Sequence, residues 1–462
     1  MKALTQLLAV LSFGAAPLVA QDPNANEAVQ ATFAKWVVQH RLVGVVAGRT
    51  IGGTTSIMTG GTRHINGADA MTDSTLFEIG SITKAFTGTL LAEMVLRREV
   101  ALSDPVAKYL PGWTIPSYQG QLITLLDLAT HTSGLPSLPD SFAGANPLDP
   151  YADFTEARLI AALARYQLTR APQTQYEYSN MGMALLGRAL AERAKLPYEV
   201  LLRERILTPL GMSDTRIDLT AEDRGRTAAG HNDQLLPTPD WHLPAFLAAG
   251  ALHSTVPDML RFTDAVRDTT RGPLAKAIAF AIAPRRKYNA TDSVGLAWHH
   301  AHVDGVDVVW HNGGTGGYSS FLGVAIATGR VIVVLTNANV SMDGIAISLL
   351  RGQPPVAPPS TDLLVEIALP AASLTRFVGR YEFAPTFAID ITQEPSGLWA
   401  EATGQAKFPI YPSAPTTFFL RAVKAELQFE VNEEGAVIGV VLRQNGNSAL
   451  ARKVRAPPSP PS

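Results

Sequence analysis

Four prolines crowd the stretch "RGQPPVAPPSTD", at Pro354, Pro355, Pro358 and Pro359. Proline locks φ and carries no backbone N–H, so this segment suits neither a helix interior nor a central strand and reads as a stiff, extended connector. It divides the chain into two textures. Beyond it, "FVGRYEF", "FAIDITQ", "GLWAEAT", "TTFFLRA" and "ELQFEVNEEGAVIGVVLRQNG" alternate apolar and polar residues between turn signals such as "EPSG", "NEEG" and "QNGN". That pattern predicts an all-β unit, a small barrel, over residues 370–453, behind a linker at 353–369 and ahead of a disordered tail at 454–462.

The part before the connector switches period twice. Residues 36 to 58, "WVVQHRLVGVVAGRTIGGTTSIM", read as short strands broken by glycines. After Ser81 the spacing becomes helical, with Ala85, Leu90, Leu91, Met94 and Val95 apolar. Helices and loops are expected to about residue 249, including "YEVLLRERILTPLGM", which Pro209 and Gly211 end. Strands return in "VDVVWHNGG" and "FLGVAIATGRVIVVLTNAN", and "GIAISLLRG" reads as a closing helix. The expected class is therefore α/β (α+β): an antiparallel sheet flanked by helices, built from distant segments of residues 21–352, with a helical lobe at about 81–249 inserted between them.

Charge and composition exclude several functions. A net charge of −2 gives no basic footprint, and "AEMVLRREV" and "APRRKYNA" are too short to track a nucleic-acid backbone, so nucleic acid is not an expected partner. The chain has no cysteine, which removes disulfides, thiol nucleophiles and cysteine-based zinc or iron–sulfur sites. The N-terminus, "MKALTQLLAVLSFGAAPLVAQDPNANEAV", has one positive residue, an apolar run and small residues before a polar stretch. It reads as a secretory signal over residues 1–20, cleaved after Ala20. A retained anchor is the competing reading, although the run is shorter than the roughly 20 residues a spanning helix needs. With no other segment apolar enough to cross a bilayer, the expectation is export from a bacterium-like cell, to the periplasm or beyond.

The chemistry centres on "FEIGSITKAF". A serine hydroxyl is a poor nucleophile at neutral pH and needs a base in reach; Ser81 and Lys84, at i and i+3 on a helix, share a face. A first-turn position would also lend Ser81 a backbone N–H and the positive helix end for a developing oxyanion. Burial among Ile82, Phe86 and their neighbours would push Lys84 toward its neutral form. Taken alone the pattern reads as a helix cap with a snorkelling lysine. Two further elements change that: "QYEYSNMGMALLG" places Tyr178, Ser179 and Asn180 before another helix, and "VVWHNGGTGGYSSF" places His311, Asn312 and Gly313 at a strand end.

With these three motifs in this order, the chain resembles the serine β-lactamase and penicillin-binding protein superfamily, in its class C branch with related esterases and D-amino-acid peptidases. "FEIGSITKAFTGTLLAEMVLRREVALSDPVAKYLP", "ITLLDLATHTSGLP", "YSNMGMALLGRAL" and "PLGMSDT" carry the resemblance, which spans Asn26 to Leu350. The trailing β unit is similar to a lipocalin-like domain appended to some members. The resemblance implies that Ser81 is the acyl-forming nucleophile, Lys84 its base or proton shuttle and Tyr178 a second general acid/base. It implies that Asn180 holds the substrate amide, that Ser81 and Gly314 N–H groups form the oxyanion hole, and that His311 and Gly313 line the substrate strand.

The third motif departs from the lactamase pattern, which usually starts with a lysine where this chain has His311. An imidazole near its ordinary pKa of about 6.5 is a weaker, pH-dependent anchor for an anion. Residues 331–350 also contain no Lys or Arg to meet a carboxylate. Elsewhere, His299, His300 and His302 in "WHHAHVDG" lack the acidic companion of a metal helix and read as polar residues beside a turn. His131 reads as a loop organiser, and Glu78 and Asp127 as structural carboxylates. No E-x-x-L-N motif is present for deacylation. The expected reaction is two-step acyl transfer with no metal or organic cofactor, on a small-molecule or peptide substrate: β-lactam hydrolysis first, then D-alanyl peptide hydrolysis, then carboxylester hydrolysis. The reading of another class is a penicillin-binding sensor or murein-binding protein without turnover.

Overall fold

The structure is a computed structural model that describes residues 25–142, 144, 146–303, 305–359, 366–421, 423–444 and 447–454. The expected signal segment, and the tail from Arg455 onward, lie outside the described residues. No described helix is long and apolar enough to cross a membrane.

The first architecture is an eight-stranded antiparallel sheet with helices on both faces. Strands β1 (Gly44–Ile51) and β2 (Thr54–Gly61) come from the start of the chain. Strands β3 (His299–Val303), β4 (Val306–Gly314), β5 (Ser319–Ala325) and β6 (Arg330–Thr336) come from about 250 residues later. The order β2-β1-β6-β5-β4-β3 continues into the short edge strands Ser293–Val294 and Arg286–Lys287. The two chain segments meet where Val45 pairs with Thr336 and Thr50 with Val331.

Side-chain alternation explains why both faces are covered. Val46, Val331, Val333 and Leu335 face the large core of the helical side, whereas Val45, Ala47, Ile332 and Val334 face a second core. That second core is closed by α1 (Ala25–Val38), through Val29, Phe33 and Trp36, and by the helix Asp343–Leu350, through Ile345 and Leu349. Sequence pattern placed strand character from residue 36; the helix instead runs to Val38 and the first strand starts at Gly44. Val29, Phe33 and Trp36 recur at helical spacing, and their burial on the sheet decides the segment.

The helical side is built around α2 (Thr83–Leu96), α3 (Asn180–Ala194) and α4 (Val256–Arg267). Helical structure therefore extends past residue 249, through α4 to a further helix at Ala275–Ile282. Helix α2 is buried all round, from Thr83 to Met94. Its Phe86 stacks on Phe262 of α4, with ring centroids 4.0 Å apart.

Beyond the connector, eight strands from Gly379–Ala384 to Asn447–Val454 close into a barrel, the first pairing with the last at Arg380 and Val454. Closure leaves no edge strand. Phe377, Tyr381, Phe418 and Phe429 fill it, with ring centroids 4.8–5.5 Å apart.

Gly88 shows how tightly the catalytic-side helix is seated: a Cβ there would lie 1.9 Å from the Leu296 carbonyl oxygen. Both contacting elements are backbone, so neither yields by a rotamer change. Gly88→Ala is expected to destabilise the fold by about 1–3 kcal/mol, read as a lower thermal midpoint than wild type.

Candidate active site

Phe77–Glu78 forms a two-residue strand with His253–Ser254, and the chain then turns through Gly80–Ile82, a single tight helical turn, into α2. Gly80 has φ +49°, and a Cβ on it would lie 2.8 Å from the Gly314 nitrogen. Gly313 is closer still: its Cβ would meet the Ile79 carbonyl oxygen at 2.1 Å and the Ser81 nitrogen at 3.0 Å. Two glycines thus let the end of β4 lie directly against the serine turn, and the Ser320 hydroxyl pins the seam by donating to the Ile79 carbonyl at 2.8 Å. Ser81 and Gly314 both line the small cleft that opens there.

Lys84 Nζ lies 2.9 Å from Ser81 Oγ and donates to the Ala249 carbonyl at 2.6 Å. Its side chain is wholly buried, and burial holds the amine well below the ordinary lysine range. The acceptor Ala249 belongs to the short helix Leu247–Gly250, whose Ala248 carbonyl also accepts from Thr87, one turn along α2. Nζ sits 4.9 Å from the centre of the Tyr178 ring. Burial raises the Tyr178 phenol above its usual value, and a hydrogen bond with the Ser81 side chain works against that rise.

Tyr178, Ser179 and Asn180 are set by the start of α3. Ser179 caps the helix, its Oγ accepting the Gly182 N–H at 2.8 Å and donating to the Pro136 carbonyl at 2.7 Å. The Ser179 N–H donates to His131 Nδ1 at 3.2 Å, and the His131 carbonyl accepts the Glu177 N–H at 2.7 Å. His131, in the left-handed region at φ 57°, therefore organises the loop as its motif predicts. Asn180 lines the cleft and donates to Ser137 Oγ at 3.4 Å. Asp127 closes a reciprocal cap with Thr124.

His311 is fully buried and stands behind the cleft lining. Its Nδ1 donates to the Asn312 carbonyl at 2.6 Å, which leaves Nε2 without a proton and without a partner among the described residues. Burial, with the nearby His299 and Lys84, holds it well below the ordinary histidine value. Its ring centroid is 5.0 Å from that of His299 and 6.5 Å from that of Tyr178. His299 is itself pushed down to about 4, chiefly by burial. The other two histidines of that motif turn elsewhere: His300 to the Ile282 carbonyl, His302 to Asp307.

The remaining lining came from outside the motifs. Tyr151, Trp241, Leu243, Phe246 and Thr315 wall the cleft, and Tyr151 shares a hydrogen bond with Asn180. Alternating glycine and small residues hint at the Ala248–Gly250 turn, but nothing local marks Tyr151 or Trp241 as neighbours of Ser81. A buried amine held well below its ordinary range and touching a serine hydroxyl is equipped to take that hydroxyl's proton.

A family model described as Beta-lactamase matches residues 24–351. The chain belongs to the beta-lactamase family. A second model, described as a domain of unknown function (DUF3471), matches residues 365–453. Among relatives of this beta-lactamase-family chain, Penicillin-binding protein 4* of Bacillus subtilis (strain 168) is 27% identical over 410 residues, covering 83% of this chain and 88% of that protein. The D-alanyl-D-alanine-carboxypeptidase/endopeptidase AmpH of Escherichia coli (strain K12) is 29% identical over 325 residues, covering 65% of this chain and 83% of that protein. A Beta-lactamase of the same strain is 30% identical over 262 residues, covering 56% and 65%.

Gly313→Ala is expected to prise Ser81 away from β4. A displacement of this order costs about a hundredfold in rate, so labelling of Ser81 by a fluorophosphonate should fall by about that factor while the far-ultraviolet circular dichroism is unchanged.

Proposed function

We propose that this chain is a serine hydrolase that works through an acyl-enzyme on Ser81, and that its acyl donor is uncharged near the scissile bond. The observation that carries the first part is the 2.9 Å contact between Ser81 Oγ and the buried Lys84 amine, which burial holds well below the ordinary lysine range. In this scheme Lys84 Nζ takes the Ser81 proton as Oγ attacks the carbonyl carbon. The Ser81 and Gly314 N–H groups hold the oxyanion, and Tyr178 passes a proton to the leaving group. Lys84 then hands the Ser81 proton to Tyr178, which restores both groups; water attacks the acyl-enzyme, its proton passes through Tyr178 and Lys84 to Ser81 Oγ as the acyl bond breaks, and the acid product leaves.

The second part rests on the lining. Ser81, Tyr151 and Asn180 offer neutral hydrogen-bonding groups, and Trp241, Leu243 and Phe246 offer apolar surface. Among the described residues lining the cleft none is Lys or Arg, and burial holds the nearby His311 well below the ordinary histidine value. A carboxylate taken from water into such a site has no cation to offset its desolvation. Short esters and uncharged amides suit it better than anionic donors. The second reading is hydrolysis of β-lactams or D-alanyl peptides, which the printed names of the relatives favour. We also take residues 21–352 as the catalytic unit and 370–453 as a separate β unit, and the chain as exported; the family matches and the bacterial relatives support these readings.

Intact mass and turnover should be measured with p-nitrophenyl butyrate, a penicillin and a D-Ala-D-Ala peptide. The ester is expected to be turned over fastest, and Ser81→Ala to be inert toward all of them; full activity in Ser81→Ala would place the nucleophile elsewhere. A stoichiometric penicillin adduct without release would identify a binding protein. Because the neutral amine is the active form, kcat/KM should climb with pH through a point below the ordinary lysine range. Lys84→Met should lose about 10²–10⁴ in rate, and that pH dependence with it.

A further inference from the structure

Glu78 lies three residues before Ser81 and takes no part in the acyl-transfer scheme, yet it is only 4% exposed. Its Oε1 accepts the Trp241 backbone N–H at 2.7 Å. Its Oε2 is buried with no hydrogen-bond partner, and so is the Thr315 hydroxyl. Glu78 therefore touches one wall of the cleft at Trp241 and lies beside the other at Thr315, while its own strand leads into the serine turn.

Among the described residues, the groups recorded as facing this carboxyl offer it no cation. Asp240 and Asp149 lie close enough to repel its charged form. The Tyr318 hydroxyl donates to Asp240 at 2.8 Å, and His242 pairs with Asp149 at 2.7 Å. His253, the cross-strand partner of Glu78, is pushed down to about 4, chiefly by burial, and is neutral at pH 7.

We propose that Glu78 is a positioning residue that works as a neutral carboxylic acid, its Oε1 holding the Trp241 N–H and its Oε2 proton bridging to the Thr315 hydroxyl. The bridge locks the Trp241 wall and the Gly314–Thr315 turn to the strand that presents Ser81. This rests on the reading of Ser81 as nucleophile and Gly314 as oxyanion donor. Burial, reinforced by Asp240 and Asp149 and opposed by the Trp241 N–H, raises the carboxyl to about 8. The sign follows: the acid keeps its proton at pH 7, and ionisation above about 8 places a third negative charge beside Asp240 and Asp149 and loosens both walls.

The test compares wild type, Glu78→Gln and Glu78→Ala by the rate of Ser81 acylation with p-nitrophenyl butyrate across pH 6 to 10. Glutamine keeps the acceptor for Trp241 and offers an N–H to Thr315, so it mimics the neutral acid. Glu78→Gln should stay within about threefold of wild type at pH 7 while Glu78→Ala falls by about tenfold or more. The alkaline loss of wild type, centred near 8, should be absent from Glu78→Gln. Infrared difference spectra, wild type minus Glu78→Gln, should hold a protonated carboxylic acid band at pH 7 that disappears with the same midpoint. The inference is overturned if that band is absent, if glutamine is as damaging as alanine, or if Glu78→Gln keeps the alkaline limb.

Thr315→Val provides a check that does not depend on the folding of Glu78→Gln. Removing the acceptor of the Oε2 proton should lower the acylation rate at pH 7 as Glu78→Ala does, and a Thr315→Val variant with the wild-type rate overturns the proposal. Absence of any acylation in wild type would instead refute the acyl-transfer reading, which keeps the two failures apart.

Discussion

Burial of Lys84 is the constraint on which the rest of the site depends. An ammonium taken out of water without a counter-charge is costly, and the described contacts of Nζ are a hydroxyl, a carbonyl and the face of a phenol ring, none of them anionic. Burial holds the amine well below the ordinary lysine range and so favours the neutral form, the one that accepts a proton. Helix α2 must then be enclosed on every side, which accounts for its mostly apolar or small residues and for the packing of Phe86 against Phe262 and of Gly88 against Leu296. The short helix Leu247–Gly250 contributes two successive carbonyls, one to Thr87 and one to Lys84, so it fixes the depth of the amine as well as satisfying it.

The second dependency is a seam of backbone. Residues 79–81 and 313–314 come from opposite ends of the sheet unit, and they meet only because two side chains are missing at Gly80 and Gly313. The sheet order makes this possible: β4 sits three strands from β1, so its end projects over the turn that enters α2. Sheet topology sets where the amides are; glycine sets how near they come.

Those features that are local were legible in the sequence. Ser81 and Lys84 are one helical turn apart, Tyr178 to Asn180 are contiguous with a helix cap, and the β4 and β6 runs are apolar enough to mark strands on their own. The connector prolines and the alternating runs after them forecast the barrel. What stayed hidden depends on distant approach. Helix α1 ends in Trp36, Val37 and Val38, residues that also favour strands, so its character is decided only when Phe33 and Trp36 find the sheet. The Trp241 wall lies in a loop without periodicity, and its attachment to Glu78 joins residues 163 apart in the chain. His131 and His299 converge on Tyr178 from different loops and strands, with no spacing to announce it.

The solid interior of the barrel carries a consequence of its own. With Phe377, Tyr381, Phe418 and Phe429 occupying the middle, its inward and outward positions answer to different selective demands. Inward residues are bound to one another by volume and tolerate change only in concert, whereas outward ones drift freely except where something outside holds them. In a set of diverged chains, any patch of the barrel exterior that resists drift would mark the face through which this unit communicates with the world.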